Sequence, residues 1–97
     1  MRIVYTKHLR FRLKVRMIPF DLPRIVVLEA EEFFFDTVTK TFIAVKKFIR
    51  TQGAKEYMVA YMQHENILEL ITIHPLRFRQ KSNRIVTKRW QRIRKIL

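Results

Sequence analysis

No cysteine occurs among the 97 residues, which excludes a disulfide framework and a zinc–thiolate site and is in keeping with a cytoplasmic protein. Glycine occurs once, at Gly53, so a glycine-rich phosphate loop cannot be built and no nucleotide cofactor is expected. Proline is scarce too: Pro19 and Pro23 lie close together and Pro75 stands alone. No apolar run approaches the ~20 residues that span a bilayer. The first residues lack the apolar block of a signal peptide, so no membrane partner is expected. Acid is missing from both ends. Residues 2–16 carry six basic groups and residues 75–97 carry nine, with no acid in either stretch. All eight acids fall between Asp21 and Glu69, where six basic residues leave a net charge of −2.

The chain as a whole carries +13. Two cationic ends on a near-neutral middle imply a polyanionic partner, because neutralising phosphates releases counterions and drives association. A solvated surface that keeps a small protein soluble is the plainer alternative. At 48% hydrophobic, with eight phenylalanines, the chain can bury a core and is no disordered basic tail. Its length allows one domain, residues 1–97.

The expected order is helix first, then a sheet, then a basic C-terminal segment. Ile3–Thr6 has β character. The next stretch reads two ways. Leu9, Phe11, Leu13, Val15 and Met17 alternate with basic residues, which is strand periodicity. As a helix the same stretch puts His8, Arg12 and Arg16 on one face but splits the apolar residues over two. Asp21 can cap a helix to about Ala30, with Pro23 in its first turn. Phe33–Phe35 has β character, and Asp36–Thr39 reads as a turn. Thr41–Ile49, Tyr57–Met62 and Ile67–Ile73 then read as three strands of an antiparallel meander, with turns near Gly53 and at Gln63–Asn66. Ser82 or Asn83 can cap a last helix, with Val86, Trp90, Ile93 and Leu97 as its apolar stripe. The class is α+β: N-terminal helices packed on an antiparallel β-meander, with a basic C-terminal segment.

His8, His64 and His74 are widely spread, and none has a second ligand at helix or hairpin spacing, so neither a metal nor any other cofactor is expected. Glu29, Glu31 and Glu32 read as a solvated acidic patch at a helix end, or a surface for a basic region of a partner, rather than an acid–base pair. The cations are the better candidates. RNA cleavage by its own 2′-hydroxyl needs in-line geometry, a base, an acid and cations on the non-bridging oxygens. His8 can serve as base or acid near neutral pH. Arg12 and Arg16 can clamp a phosphate, or else pair with acids such as Asp36 or Glu32. His74 and Arg77 end the third strand, where side chains leave a sheet edge. Trp90 can stack on a base but at helical spacing fits a core.

The opening Tyr5-Thr6-Lys7-His8, then Arg12, Arg16 and Ile18, resembles the start of small RelE-like and BrnT-like proteins, Thr-Lys-His with two arginines at four-residue steps and a closing isoleucine. The strand Ile67–Ile73 followed by His74-Pro75, and later Asn83-Arg84-Ile85 and Arg89-Trp90, are similar to the last strand and basic C-terminal segment of those families. Two usual glycines are replaced, by Met17 and Lys88. The resemblance implies a toxin component of a toxin–antitoxin pair, in many relatives a metal-independent ribonuclease acting on messenger RNA, bound by a small antitoxin protein. It favours helix over strand for residues 7–17. It implies His8, Arg12 and Arg16 as the catalytic set and, as basic residues on a strand, Lys46 and Lys47. The remaining expected nucleic-acid contacts are His74, Arg77, Arg84 and Arg89. RNA or the ribosome is the expected partner, for cleavage or for binding alone. The oligomeric state is not legible.

Overall fold

A computed structural model describes residues 1–95. Thr6 resolves the ambiguous stretch in favour of helix. Its backbone is extended, and its hydroxyl accepts the Leu9 N–H at 3.1 Å, one of the donors that a helix start leaves unsatisfied. After strand β1 (Arg2–Tyr5), helix α1 runs over Lys7–Val15. Leu9 and Leu13, one turn apart, are buried, while Phe11 and Val15 are exposed. The apparent alternation therefore mixed core residues with surface ones. α1 closes with the Ile18 N–H on the Leu13 carbonyl and the Met17 N–H on the Lys14 carbonyl. This is a Schellman ending, with Met17 left-handed at φ 54°, where glycine is usual.

Helix α2 (Leu22–Glu29) has Asp21 at its N-cap, but the carboxylate makes no capping bond. The Tyr5 hydroxyl accepts the Arg24 N–H at 3.2 Å instead and donates to the Phe20 carbonyl at 2.8 Å, which ties β1 to the helix connection.

The strands β2 (Glu32–Asp36), β3 (Thr41–Arg50), β4 (Gly53–His64) and β5 (Ile67–Pro75) follow as an antiparallel meander. It has one strand more than expected, because the Phe33–Phe35 run pairs fully with β3. Helix α3 (Gln80–Val86) and strand β6 (Trp90–Ile93) complete the fold. The sheet has six strands in the order β1-β5-β4-β3-β2-β6 and is mixed, since β1 lies parallel to β5.

The C-terminal segment departs from the expected long helix. Thr87 turns its hydroxyl back to the Asn83 carbonyl at 2.8 Å, Lys88 is left-handed at φ 63°, and Trp90 pairs with Asp36 in a strand. β2 would otherwise be an open edge, and its pairing with β6 outweighs helix continuation. Neither Ser82 nor Asn83 caps α3, whose N-cap is Arg79. Leu97 lies outside the described residues.

Strand alternation sends side chains to two faces. On one face Phe33, Ala44, Val59 and Tyr61 meet Leu9 and Leu13 of α1, Val26 and Val27 of α2 and Ala30 just after it in the main core. On the other, Phe34, Ile43, Val45, Met58, Ala60 and Trp90 form a smaller cluster to which Leu76 and Ile85 add. The short α3 buries no residue fully, so this second face keeps open space.

Candidate nucleic-acid interface

A bulge in β5 shapes the site. Tyr61 pairs with Leu70 and Ala60 with Thr72, leaving Ile71 as an extra residue. One inserted residue reverses the facing of everything after it. Leu68 and Leu70 point into the main core, and after the bulge Ile73 does so again. Thr72 and His74 are thereby turned to the second face.

There they border an open cavity of about 240 Å³ whose floor includes Ile43, Met58 and Ala60 and whose walls include His74, Arg84 and Trp90. His74 is held from two sides. Its Nδ1 is 3.4 Å from the Arg12 Nη2, and its Nε2 is 3.3 Å from the Thr72 hydroxyl. A guanidinium only donates, so Nδ1 carries the lone pair and Nε2 the proton. Burial, and then the charges of Arg12, Arg16, Arg84 and His8, push the His74 pKa below the ordinary histidine value. The Arg12 Nε is buried without a partner. Arg84 lies over the Trp90 ring at 5.5 Å, and its pKa is lowered by burial and by Arg89 against the pull of Asp36.

Asp36, the one buried charged residue of the described chain, organises the far wall. Its carboxylate accepts the Val38 and Thr39 N–H groups at 2.9 and 3.1 Å, the Arg89 Nε at 3.1 Å and the Trp90 indole N–H at 2.9 Å. Burial pushes its pKa up, but those bonds outweigh burial and hold it at about 2.

The expected site residues separate into groups. His8 and Arg16 are exposed on α1, on the face that carries Arg12, and their charges act on His74. Arg12 stands behind His74 and is not among the cavity walls. His74, Arg84 and Arg89 do line the cavity, although Arg89 is tied to Asp36. Lys46 is paired to Glu29 at 3.3 Å. Lys47 and Arg77 are exposed at a separate groove. The acids do not pair with Arg12 or Arg16: Asp36 takes Arg89, and Glu32 takes Lys81 at 2.8 Å and Arg92 at 3.1 Å. Glu32 is half-buried at the start of β2, so it is not part of a solvated patch. Sequence reasoning passed over Thr72, the Arg12–His74 contact and the Asp36 hub. One signal of the bulge was present, since apolar residues change parity from Leu68 and Leu70 to Ile71 and Ile73. Among the described residues no three His, Asp or Glu side chains gather to hold a metal ion.

No protein-family model, curated protein or solved structure matches this chain.

Proposed function

We propose that this protein binds RNA and, in the manner of a toxin component, cleaves it through the RNA's own 2′-hydroxyl at the His74 cavity. The observation that supports this reading is His74, turned by the β5 bulge into a cavity walled by Arg84 and backed by Arg12. In this reading the RNA crosses the lip of the cavity where α1 meets His74, and a phosphate there draws the Arg12 Nη2 from His74 onto a non-bridging oxygen. That frees the His74 Nδ1 lone pair to take the 2′-hydroxyl proton. The 2′-oxygen attacks phosphorus, Arg84 and Arg12 stabilise the developing charge, and the 5′-oxygen leaves with a proton from His8. The products are a 2′,3′-cyclic phosphate and a 5′-hydroxyl.

A protein partner of the kind the resemblance implies would be acidic and apolar, because the exposed Phe11, Val15 and Phe20 stand among Arg10, Lys14 and Arg16. A second reading, RNA binding without cleavage, draws support from the engagement of both His74 nitrogens.

The test is incubation of RNA, with and without ribosomes and in the presence of chelator, followed by analysis of the RNA ends. Cyclic phosphate ends are expected, and His74→Ala should slow their formation about a hundredfold or more. Arg12→Ala should also shift the acid limb of the rate profile upward in pH, because removing a neighbouring positive charge raises the His74 pKa. Products with 3′-hydroxyl ends, or cleavage abolished by chelator, would overturn the mechanism. Binding with no cut RNA under any condition would leave the second reading.

A further inference from the structure

Between Leu76 and Gln80, which line the His74 cavity, the loop from β5 to α3 holds an aromatic ring almost wholly in solvent. Phe78 is 89% exposed. The loop that carries it is fastened at both ends. The Leu76 N–H donates to the Glu56 carbonyl at 2.8 Å, the Gln80 N–H to the Arg77 carbonyl at 3.0 Å, and the Gln80 side chain accepts the Arg77 N–H at 3.0 Å. Arg79 takes a left-handed backbone at φ 63°, a conformation that side-chain-bearing residues rarely adopt, and its guanidinium lies 5.2 Å from the Phe78 ring centre. The ring is thus presented outward by a built loop.

Next to it the β3–β4 hairpin runs on alone. β2 stops pairing with β3 at Val45, and β5 stops pairing with β4 at Tyr57. The unsupported part of the ribbon brings Lys47 to a groove shared with Arg77, Phe78 and Arg79, while Lys55, on the opposite face of the ribbon, lies over the Tyr57 ring at 5.1 Å. The one acid in that groove, Glu56, is neutralised by Lys81 at 2.7 Å. Among the described residues none of Lys47, Arg77 and Arg79 is ion-paired. Unpaired cations around one solvent-facing ring form a combination that suits an unstacked base with a phosphate on either side.

We infer that this groove is a second RNA contact, specific for single strands, in which a base stacks on Phe78 while Lys47 and Arg77 hold the flanking phosphates. It presupposes the RNA-binding reading and adds to it the form of the substrate. A base inside a duplex shows no face to a side chain, so the site discriminates against double strands. The ring needs no particular base edge, so the contact is tolerant of sequence.

The test uses the full chain and two labelled probes, a ten-residue oligouridylate and an RNA duplex, with affinity measured by fluorescence anisotropy over a range of salt. Phe78→Ala should weaken oligouridylate binding about tenfold at fixed salt and leave the salt slope unchanged, because the ring carries no charge. Phe78→Tyr should restore the affinity, and duplex binding should not change. Lys47→Ala with Arg77→Ala should instead reduce the single-strand salt slope by about 0.7 per cation removed. Oligouridylate binding by the wild type that Phe78→Ala leaves intact would overturn the stacking site while leaving the RNA reading in place. No binding to either probe would overturn both. Loss of binding to anionic lipid vesicles, but not to oligouridylate, in Phe78→Ala would assign the ring to a membrane surface and also overturn the inference.

Discussion

At the residue scale the scarcity of glycine has a measurable cost. Met17, Lys40, Glu65, Arg79 and Lys88 all take positive φ, between 53° and 63°, and each L residue held there costs roughly 1–2 kcal/mol. Met17 and Lys88 occupy the two positions where the resemblance expects glycine. Both follow a helix end, and both side chains are exposed. Met17→Gly and Lys88→Gly should therefore each stabilise the fold by about 0.5–1 kcal/mol, the relief of strain exceeding the entropy that glycine loses. Denaturant melts of the two variants check this, and an unchanged or lower midpoint would contradict it. Asp36 gives a pH dependence. Its folded pKa of about 2 lies below the ordinary 3.8, so the unfolded chain takes up the proton first as pH falls. The stabilisation is complete above about pH 4 and disappears as pH drops through about 2, a loss of ~2 kcal/mol. Asp36→Asn should flatten that part of the stability–pH curve, which urea melts at a series of pH values would reveal.

At the scale of elements, α1 shows how far the sequence could be read. Alternation from Leu9 to Met17 favours a strand, and what decides for helix is the Thr6 cap together with surroundings that leave Phe11 and Val15 in solvent. The cap is a local feature that the β reading of Ile3–Thr6 passed over; the packing is not local and was not legible. Leu13→Ala should cost about 2–5 kcal/mol as a core truncation, whereas Phe11→Ala should stay within about 0.5 kcal/mol; equal costs in chemical denaturation would argue for the strand. The β2–β5 meander was legible, its first strand as β character at Phe33–Phe35 without its pairing, because β-branched and aromatic runs bounded by turn residues depend on local chemistry. The end of α3 was misread for the opposite reason. The stripe Val86, Trp90, Ile93 is helical by spacing, but Trp90 is drawn into a strand by a carboxylate 54 residues earlier. The candidate site was legible in its parts, His74 and Arg84, and not in its assembly, which depends on a bulge and on a contact spanning 62 residues between Arg12 and His74.

At the scale of the whole molecule, +13 on 97 residues is a self-repelling charge, and such charge destabilises the compact state. The described chain offsets part of it through a few internal pairs, chiefly Lys81 between Glu32 and Glu56 and Arg89 on Asp36. Screening should relieve the rest, so the melting temperature should rise by several degrees between low salt and ~0.5 M salt. A polyanion such as inorganic polyphosphate should do the same at far lower concentration; melting that ignores both would mean that the repulsion is already balanced within the fold. The Asp36 hub also orders events during synthesis. Its partners Arg89 and Trp90 and the cavity wall at Arg84 leave the ribosome after every strand of the meander. Until they emerge, β2 is an open edge and its carboxylate lacks the guanidinium and indole that let it be buried. A nascent chain halted before Arg84 carries neither the sixth strand nor a complete cavity, so any chemistry the cavity performs begins only once nearly the whole described chain has been made.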